Sequence, residues 1–462
     1  MPGLEEPRVP ASEVRVDEVV GGAKLGPVNL QAWVLAALML FVDAFDFAAL
    51  PVGSPAILES FSLPKETLGL IFSAGSVGIV VGSVVFGYFA DRLGRRKVAI
   101  LGTLLFSVST LATAFADSAT HLMIGRLLTG IGVGGVTPTA ITYLTEWAPA
   151  KRRSAFVTAA LMGYPLGDAT LAIVGKELIP HWGWQIVFVV PGVIGIVLCV
   201  IMFLALRESL LYLAVKRPNA PELRQRLRQL SPTLNIDAHT RILAEHSAPT
   251  RRGPLSMLLA GELRLITPLL WAGYLLESLA FGSFNSWFQL TLISLGLSRD
   301  DAALALSISG GTRVLMILLL AAILDRAGYR VGVALAATAA LAFFIMGTGV
   351  GGTTMLMAAA VAALVAGLTL HSAFNGTVGS FYPTPIRSRG VALATAWGRF
   401  GQIIGPSIVG LAMNHISTPR IFGGAFVLYL LLVAICLVLF LLDRKSRANR
   451  PLQDLRAEPE TS

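Results

Sequence analysis

The sequence has few charged residues and almost no cysteine. Asp, Glu, Lys and Arg make up only 14% of its 462 residues, whereas an average soluble domain carries about 25%. Hydrophobic residues reach 55%, and the mean hydropathy is +0.72. A chain of this composition cannot cover a water-soluble surface, which all but excludes a soluble enzyme and excludes a disordered or fibrous protein. The few charges are nevertheless biased in sign, with a net charge of +9.

Patterns that bind metals, cofactors or nucleotides are also missing. The two cysteines, Cys199 and Cys436, lie inside long apolar runs, and such a pair makes neither a disulfide framework nor a metal cluster. No glycine-rich loop followed by Lys-Ser or Lys-Thr is present. We therefore expect no ATP-driven step and no cofactor.

The N-terminal segment does not read as a secretory signal. Residues 1–28 are polar and of mixed charge, and the first apolar run begins near Gln31. A cleavable signal instead places a short apolar stretch directly after a basic start. We expect residues 1–30 to form a disordered cytosolic tail.

Long apolar runs dominate the rest of the chain. A helix needs about 20 apolar residues to cross a bilayer, and twelve such runs occur in two groups of six. Barrel strands would be short and alternating, so these long unbroken runs predict helices. The predicted spans are residues 31–51, 68–90, 98–116, 121–145, 154–176, 184–206, 265–292, 302–324, 331–349, 353–380, 390–413 and 420–442.

These spans predict an all-α membrane protein with two pseudo-symmetric bundles of six helices. The N-terminal bundle covers residues 31–206 and the C-terminal bundle residues 265–442. A polar central loop, residues 207–264, joins them, and residues 443–462 form a C-terminal tail. We expect the loop and both tails to be cytosolic.

The basic residues support this topology. With a cytosolic N-terminus, 29 of the 36 Lys and Arg residues lie in cytosolic segments, four lie on the opposite side and three lie within spans. Positively charged loops stay on the cytosolic side of a membrane. The central loop lacks the interleaved aromatic residues of a nucleic-acid surface, and the topology already explains its charge. We therefore expect no nucleic-acid partner.

The two groups of spans carry related landmarks. Residues 87–96, GYFADRLGRR, follow the second span, and residues 321–330, AAILDRAGYR, follow the eighth at an offset of 234. Residues 149–153, PAKRR, and 385–389, PIRSR, repeat at an offset of 236. Two landmarks at nearly one offset indicate parallel six-helix repeats, an architecture that places a substrate site near the midplane between the halves.

The whole chain resembles a major facilitator superfamily transporter. The G-x-x-x-D-R-x-G-R-R pattern of residues 87–96 is similar to the motif that this superfamily carries between its second and third spans. Finer features resemble the aromatic acid:proton symporter family, and Ala44, Asp168 and Arg313 depart from its usual pattern. The matching features are Asp43-x-x-Asp46, Arg126 with Gly130, Gly132 and Gly134, Glu146-x-x-Pro149-x-x-Arg152, Glu208-Ser209, Tyr382-Pro383-Thr384-x-x-Arg387, and Gly398-Arg399 through Gly405-Pro406.

Acidic residues inside the spans are candidates for proton coupling, because intramembrane charges are rare and mark function by default. Asp43 and Asp46 are three residues apart and share one helix face. Two carboxylates close together in a low dielectric cannot both ionise easily, which suits a proton carrier. The offset of 234 takes position 43 to Glu277 in the seventh span. We predict that all three couple protons, with structural hydrogen bonding as the alternative.

Three arginines, Arg126, Arg313 and Arg399, supply positive charge within the spans. A guanidinium group fits a carboxylate bidentately and stays charged in any environment. We predict that these side chains bind a small anionic substrate. The alternative is internal ion pairing, of Arg126 with the acids of the first span and of Arg313 with Asp168 or Glu277.

Aromatic and polar residues of the spans complete the predicted substrate site. Rings supply apolar walls and stacking partners, and a histidine relays protons near neutral pH. Packing in the core or against lipid, and a buried histidine satisfied by a neighbour, are the alternatives. The predicted residues are Phe45, Asn285, Trp287, His371 and Trp397.

A second group of residues, at the cytosolic ends of the spans, predicts a conformational latch. Asp91 lies one turn before Arg95, and Glu146 can pair with the arginines of the same loop. Such contacts would hold one state closed on the cytosolic side and break during transport. The predicted latch residues are Gly87, Asp91, Arg92, Arg95, Glu146, Arg152, Asp325 and Arg326.

These observations, with the resemblance, predict a transporter and not an enzyme. We expect a proton-coupled symporter that imports a small organic anion, an aromatic carboxylate of the benzoate type, by alternating access. A symporter of an aliphatic carboxylate and an exporter are the alternatives, and a membrane sensor of such acids is the alternative from another class. We expect a monomer in the plasma (inner) membrane, with the anion, the proton and the lipid bilayer as its partners.

Overall fold

Helices make up nearly all of the structure. A computed structural model describes residues 13–23, 25–231, 240–244, 255–327 and 329–448. For residues 151, 321–322, 324–327, 384, 443 and 445–448, only the backbone is described.

The N-terminal bundle follows the predicted spans closely. The first span is divided into two helices, and so is the fifth. The helices are α2 (Pro27–Phe47), α3 (Ala49–Phe61), α4 (Lys65–Leu93), α5 (Arg95–Thr113), α6 (Ala119–Trp147), α7 (Arg153–Leu161), α8 (Gly163–Trp182) and α9 (Ile186–Ala205), and they are preceded by α1 (Val16–Gly22).

The C-terminal bundle follows two short helices of the central loop, α10 (Leu210–Lys216) and α11 (Pro221–Leu230). Each of its six helices contains or overlaps one predicted span. They are α12 (Leu263–Ser294), α13 (Arg299–Ala327), α14 (Tyr329–Thr348), α15 (Gly352–Thr377), α16 (Thr384–His415) and α17 (Thr418–Ala448). The all-α membrane fold is therefore confirmed.

The number of described helices that meet the length and hydropathy criteria for crossing a membrane is one lower than predicted. Among the described residues, 11 helical segments are long and apolar enough to cross a membrane. Helix α16, which contains the predicted span 390–413, is 32 residues long but is not one of them. Its arginines and glycines lower its hydropathy, so the prediction of twelve spans is not confirmed by this criterion.

Proline explains why two spans are divided. Pro51 and Pro165 have no N–H group, so the carbonyls of Phe47 and Leu161 lose their helical partners. Helix α2 ends at Phe47, and α7 ends at Leu161. Irregular backbone at membrane depth is tolerated where it lines a cavity or is buried in protein. Both breaks adjoin the polar residues of the site described below.

Glycines allow α4 and α6 to pack backbone against backbone. A Cβ atom added to Gly82 would lie 2.0 Å from the carbonyl oxygen of Ile131, and one added to Gly130 would lie 2.1 Å from that of Gly75. In the C-terminal half, a Cβ at Gly401 of α16 would lie 2.3 Å from the carbonyl oxygen of Leu275 in α12. Close helix approach through small residues is typical of membrane proteins.

The segment before the first span is folded where it is described, so the prediction of a disordered tail is wrong for residues 13–23. Strand β1 (Glu13–Arg15) pairs in parallel with β2 (Arg241–Leu243) of the central loop. Helix α1 contributes buried valines to the core that also contains leucines of α10 and α11. The apolar side chains among the polar ones of this segment provide that packing. Residues 1–12 lie outside the described residues.

The two halves meet along two seams that the repeat relates to each other: α4 packs on α16, and α8 packs on α13. We call the end of the bundle where α2 begins the termini end and the opposite end the far end. At the far end, the hydroxyl of Ser73 donates to the carbonyl oxygen of Ile403 (2.6 Å) and lies 2.7 Å from the hydroxyl of Ser407. Arg299 and Glu59 add an exposed ion pair between the halves.

The same helix faces separate toward the termini end. On α4, Val84 follows Ser73 on the same face and is 68% exposed. Gly87, one turn further on, has no neighbouring atom within 4 Å of its Cβ position. On the facing helix, Ala396 and Arg399 are exposed. The cavity between the halves is therefore closed at the far end and open at the termini end.

Candidate functional site

Asp43 is buried between α2, α6 and α8 and is bound by hydroxyl groups. Its Oδ2 atom accepts hydrogen bonds from Thr137 Oγ1 (2.6 Å) and from Tyr164 Oη (2.7 Å). The two hydroxyl oxygens lie 2.9 Å apart. No Lys or Arg among the described residues pairs with this carboxylate, although Asp43 is only 1% exposed. Its hydrogen bonds are thus satisfied without a countercharge.

Asp46, one turn further along α2, has a countercharge. Its Oδ2 atom lies 3.5 Å from Nη1 of Arg126 on α6, and its Oδ1 atom accepts a hydrogen bond from the hydroxyl of Thr110. Asp46 is 0% exposed and Arg126 is 5% exposed. Within the described residues, Arg126 Nη1 and Asp46 Oδ2 have no hydrogen-bond partner. The two charges are near each other but do not form a hydrogen bond through Arg126 Nη1, so this nitrogen can still donate to another acceptor.

Glu277 of α12 forms the corresponding arrangement in the C-terminal half. Its Oε2 atom lies 2.8 Å from Nδ1 of His371 on α15 and accepts a 3.2 Å hydrogen bond from the Ser278 hydroxyl. Asp43 and Glu277 are 234 residues apart, and so are Thr137 and His371. The duplication has therefore kept both the acid and the place of its partner, and it has exchanged a hydroxyl for an imidazole.

Arg313 of α13 pairs with Asp168 of α8 across the seam between the halves. Its Nη1 atom lies 2.8 Å from Asp168 Oδ2, with side-chain exposures of 11% and 24%. Asp168 is one turn after Tyr164, which binds Asp43, so both lie on the same face of α8. The structure therefore pairs Arg126 with Asp46 and Arg313 with Asp168, and both ion pairs are among the alternatives that the sequence left open.

Arg399 of α16 is exposed, in contrast to the other two arginines. Its Nη1 atom donates a 3.0 Å hydrogen bond to Gln402 Oε1, and it forms no ion pair with an acid of the described chain. Trp397 is 41% exposed and stacks on Trp271 of α12 at a centroid distance of 6.0 Å. The C-terminal half thus presents a guanidinium group without an acid partner among the described residues and a pair of stacked indoles.

A small pocket near the middle of the molecule connects the two halves. Arg126 reaches it from α6, and Gln402, the partner of Arg399, reaches it from α16. The divided first span supplies Phe47, Leu50 and Pro51 to its wall. Arg126 thus lines one region between the halves, where apolar side chains surround a few polar groups, and Arg399 is linked to that region through Gln402.

Three other predicted site residues lie deeper in the protein. Phe45 is 1% exposed and stacks on Phe41 at 5.6 Å. Trp287 is 0% exposed, donates its indole N–H to the carbonyl oxygen of Pro406 (2.9 Å) and packs edge-on against Phe72 of the other half. This places Trp287 in the closed far end. Asn285 is half-buried and makes no hydrogen bond within the described residues.

The predicted latch forms a network inside the N-terminal half. Arg95 Nη1 donates to Asp91 Oδ1 (2.8 Å), and Arg95 Nε lies 3.5 Å from Glu146 Oε1. Arg92 stacks over the ring of Tyr88 at 4.1 Å. These contacts join α4, α5 and α6 at the open termini end. Arg152 is exposed, and the side chains of Asp325 and Arg326 lie outside the described residues.

Two hydroxyl partners of the acids, Thr137 and Thr110, were not predicted from the sequence. Thr137 follows Arg126 by 11 residues, which is three helical turns and therefore nearly the same face of α6. That spacing was a usable signal. Thr110 belongs to a cluster of hydroxyl residues in the third span, together with Ser107, Ser109 and Thr113, but nothing local selects it from its neighbours.

Comparison with known proteins identifies relatives of the whole chain. The family model described as Major Facilitator Superfamily matches residues 36–290 and 270–460. The chain is 30% identical to a 4-hydroxybenzoate transporter of Pseudomonas aeruginosa over 89% of this chain and 93% of the relative. It is 29% identical to a gallate transporter of Pseudomonas putida (86% and 89%) and 25% identical to a benzoate transport protein of Acinetobacter baylyi (97% of both chains).

Solved structures of similar fold share less sequence. The xylose transporter of E. coli in a partially occluded inward open conformation has a TM-score of 0.67 at 16% identity, covering 90% of this chain and 99% of that one. A bacterial homolog of the human lysosomal transporter Spinster, in an inward-facing and occupied conformation, also has a TM-score of 0.67, at 17% identity (91% and 98%). At this identity the likeness concerns the fold alone.

Proposed function

This chain belongs to the Major Facilitator Superfamily, and we propose that it imports an aromatic carboxylate of the benzoate type together with protons. The superfamily consists of transporters, so the chain is a multi-pass membrane protein and not an enzyme. The proposal on substrate rests on relatives named as transporters of 4-hydroxybenzoate, gallate and benzoate. The observation that carries it is the presence of two incompletely paired guanidinium groups, Arg126 and Arg399, around one region between the halves.

The anion would bind to these arginines. A carboxylate accepts two parallel hydrogen bonds from a guanidinium group, and Arg126 has an unfilled donor beside the pocket. Trp397 offers a partly exposed ring for stacking against an aromatic substrate. In this proposal Asn285 adds a hydrogen bond to the substrate. Phe45 and Trp287, which are buried, pack behind the apolar wall of the site. Arg313 joins the site when the anion replaces Asp168 as its partner.

The proton would be carried mainly by Asp43. A buried carboxylate without a countercharge is costly to keep ionised, and taking up a proton removes that cost. Asp46 differs from Asp43 because Arg126 compensates its charge. Asp46 and the bound anion would share Arg126, and this shared partner would couple proton uptake to anion binding. Glu277, bound to His371, is the acid of the other half. Binding of the anion at Arg126 would weaken the Asp46 pair and favour protonation within the cluster.

Transport would proceed by alternating access around this region. The far-end contacts of Ser73 and the Arg313–Asp168 pair hold the present state closed on one side. In the opposite state these contacts would open, and the network of Asp91, Arg95 and Glu146 would meet the C-terminal half. We place both termini in the cytosol and the protein in the inner membrane, as the excess of basic residues favours, and we propose that one copy transports by itself.

The proposal can be tested with purified protein in liposomes. Uptake of labelled benzoate and 4-hydroxybenzoate is measured with and without an inward proton gradient, and protein-free liposomes provide the background. We expect the gradient to drive accumulation of at least one acid above equilibrium. Uptake that ignores the gradient would contradict symport. Uptake of an aliphatic carboxylate, with none of the aromatic acids, would contradict the substrate class.

A further inference from the structure

The Glu277–His371 pair leaves one imidazole nitrogen free. Nδ1 lies 2.8 Å from the carboxylate of Glu277, which is 2% exposed, whereas the His371 side chain is 34% exposed. Nε2 makes no hydrogen bond within the part of the chain that the structure describes, and it is not among the buried atoms that lack a partner. This nitrogen is therefore not buried and is open to a hydrogen-bond donor from outside the described residues.

The carboxylate decides what the free nitrogen can do. An ionised Glu277 only accepts hydrogen bonds, so it holds the imidazole proton on Nδ1. Nε2 then carries a lone pair and acts as an acceptor. The imidazole also stacks on Phe281, with a centroid distance of 4.7 Å and an angle of 25° between the rings. The C-terminal half thus presents a partly exposed aromatic surface with one hydrogen-bond acceptor at its edge.

This acceptor lies at the depth of Arg399. Gly398, the residue before it, packs against Ser278, whose hydroxyl is 2.8 Å from the Cβ position of the glycine. Ser278 adjoins Glu277 in sequence and donates to it. One level of the C-terminal half therefore offers a guanidinium group, aromatic rings and an acceptor. A hydroxylated aromatic acid carries the complementary groups: a carboxylate, a ring and an O–H donor.

We propose that His371, positioned by Glu277, accepts a hydrogen bond from a ring hydroxyl and makes the transporter select hydroxylated over unsubstituted aromatic acids. This inference rests on the proposed function, because it presupposes that the site takes aromatic carboxylates. His371 is the specificity-determining residue, and Glu277 is a positioning residue that fixes the tautomer. An acceptor rewards only a substrate with a donor, so benzoate gains nothing from it.

The test compares 4-hydroxybenzoate with benzoate in liposomes that contain the full-length protein. The measured quantity is the ratio of kcat/KM for the two acids. Replacing His371→Asn keeps a donor toward Glu277 and removes the acceptor at the Nε2 position, so we expect the ratio to fall about five- to tenfold, the value of one neutral hydrogen bond. His371→Gln keeps an acceptor near Nε2 and should retain part of the preference. The amide in Glu277→Gln can either accept a hydrogen bond from Nδ1 or donate one to it, so it no longer fixes the imidazole proton on Nδ1. This variant should therefore also lower the ratio.

His121 provides the matched control. It forms the same kind of pair, with its Nδ1 2.6 Å from Asp117 Oδ1, but at the exposed start of α6. His121→Asn should leave kcat/KM unchanged for both acids. Equal losses for both acids in His371→Asn would overturn the selectivity claim, as would a wild-type protein without preference for the hydroxylated acid. If the wild type takes up benzoate, the proposed function survives either result; uptake of neither acid overturns both.

Discussion

The two halves use the same acidic position in different ways. Asp43 is bound by two hydroxyls inside the protein, whereas its repeat equivalent Glu277 binds an imidazole that is partly exposed. A carboxylate held by hydroxyl groups can change charge without moving a neighbouring ion. A carboxylate held against an imidazole instead determines which nitrogen of that ring donates. The duplicated framework thus supplied one position, and the partner residue decides its chemistry.

The arginines of the two halves also differ in their burial and in their partners. Arg126 is 5% exposed and lies beside Asp46, while Arg399 is exposed and binds only the neutral Gln402 among the described residues. Removing a partner from the first pair leaves a buried charge without compensation. Removing Arg399 leaves no such charge. Variants of the two halves should therefore fail for different reasons, and this difference can be measured.

The largest effect is expected from Asp43→Asn, which preserves size and hydrogen bonding but cannot take up a proton. A proton gradient of one pH unit drives about a tenfold accumulation for one proton per anion. We expect accumulation in proteoliposomes to disappear completely, while exchange of labelled for unlabelled acid continues. Asp117→Asn, at a side chain that is 77% exposed, is the control and should accumulate normally. Accumulation that persists in Asp43→Asn would assign the proton to another acid.

Arg126→Ala should have the next largest effect, on stability. It leaves Asp46 buried without its cation, and breaking a buried ion pair in this way costs about 3–5 kcal/mol. We expect a large fall in Tm of the purified protein, partly restored when Asp46→Asn is added. Arg299→Ala breaks the exposed pair with Glu59, and we expect about 0–1 kcal/mol there. Equal Tm changes for the two arginines would refute the contrast between buried and exposed charges.

A smaller effect is expected from Arg399→Ala, and it should concern binding only. Loss of a hydrogen bond to a charged group costs about 1.5–3 kcal/mol, so KM for an aromatic acid should rise about 10- to 100-fold. The Tm should stay near the wild-type value because no buried charge is left behind. Gln402→Ala separates the hydrogen bond of the arginine from its charge and should raise KM less. An unchanged KM in Arg399→Ala would remove this residue from the anion site.

Much of the fold was predictable because its signals are local. Each predicted span falls on a helix or helix pair within a few residues, except that the first extends ten residues further, to Phe61. The folding of residues 13–23 was not predictable from composition, because four valines are buried by contacts with residues distant in sequence, in the central loop and near the end of α6. The acids and arginines of the site were recognised as buried charges, whereas their hydroxyl partners look like ordinary residues of apolar helices.

The helices, the two related halves and the rare charges within the spans can be read from the sequence alone. Hydropathy, repeat spacing and charge are properties of short segments, so no packing is needed to read them. The pairs of Arg313 with Asp168 and of Arg126 with Asp46, and the binding of equivalent acids by Thr137 and His371, emerge only when the helices are packed. These partners come from different helices, and the depth and rotation of each helix are set by glycine contacts and proline breaks elsewhere in the bundle. The acids and arginines within the spans are alike in the sequence, and their different partners become visible only in the packed structure.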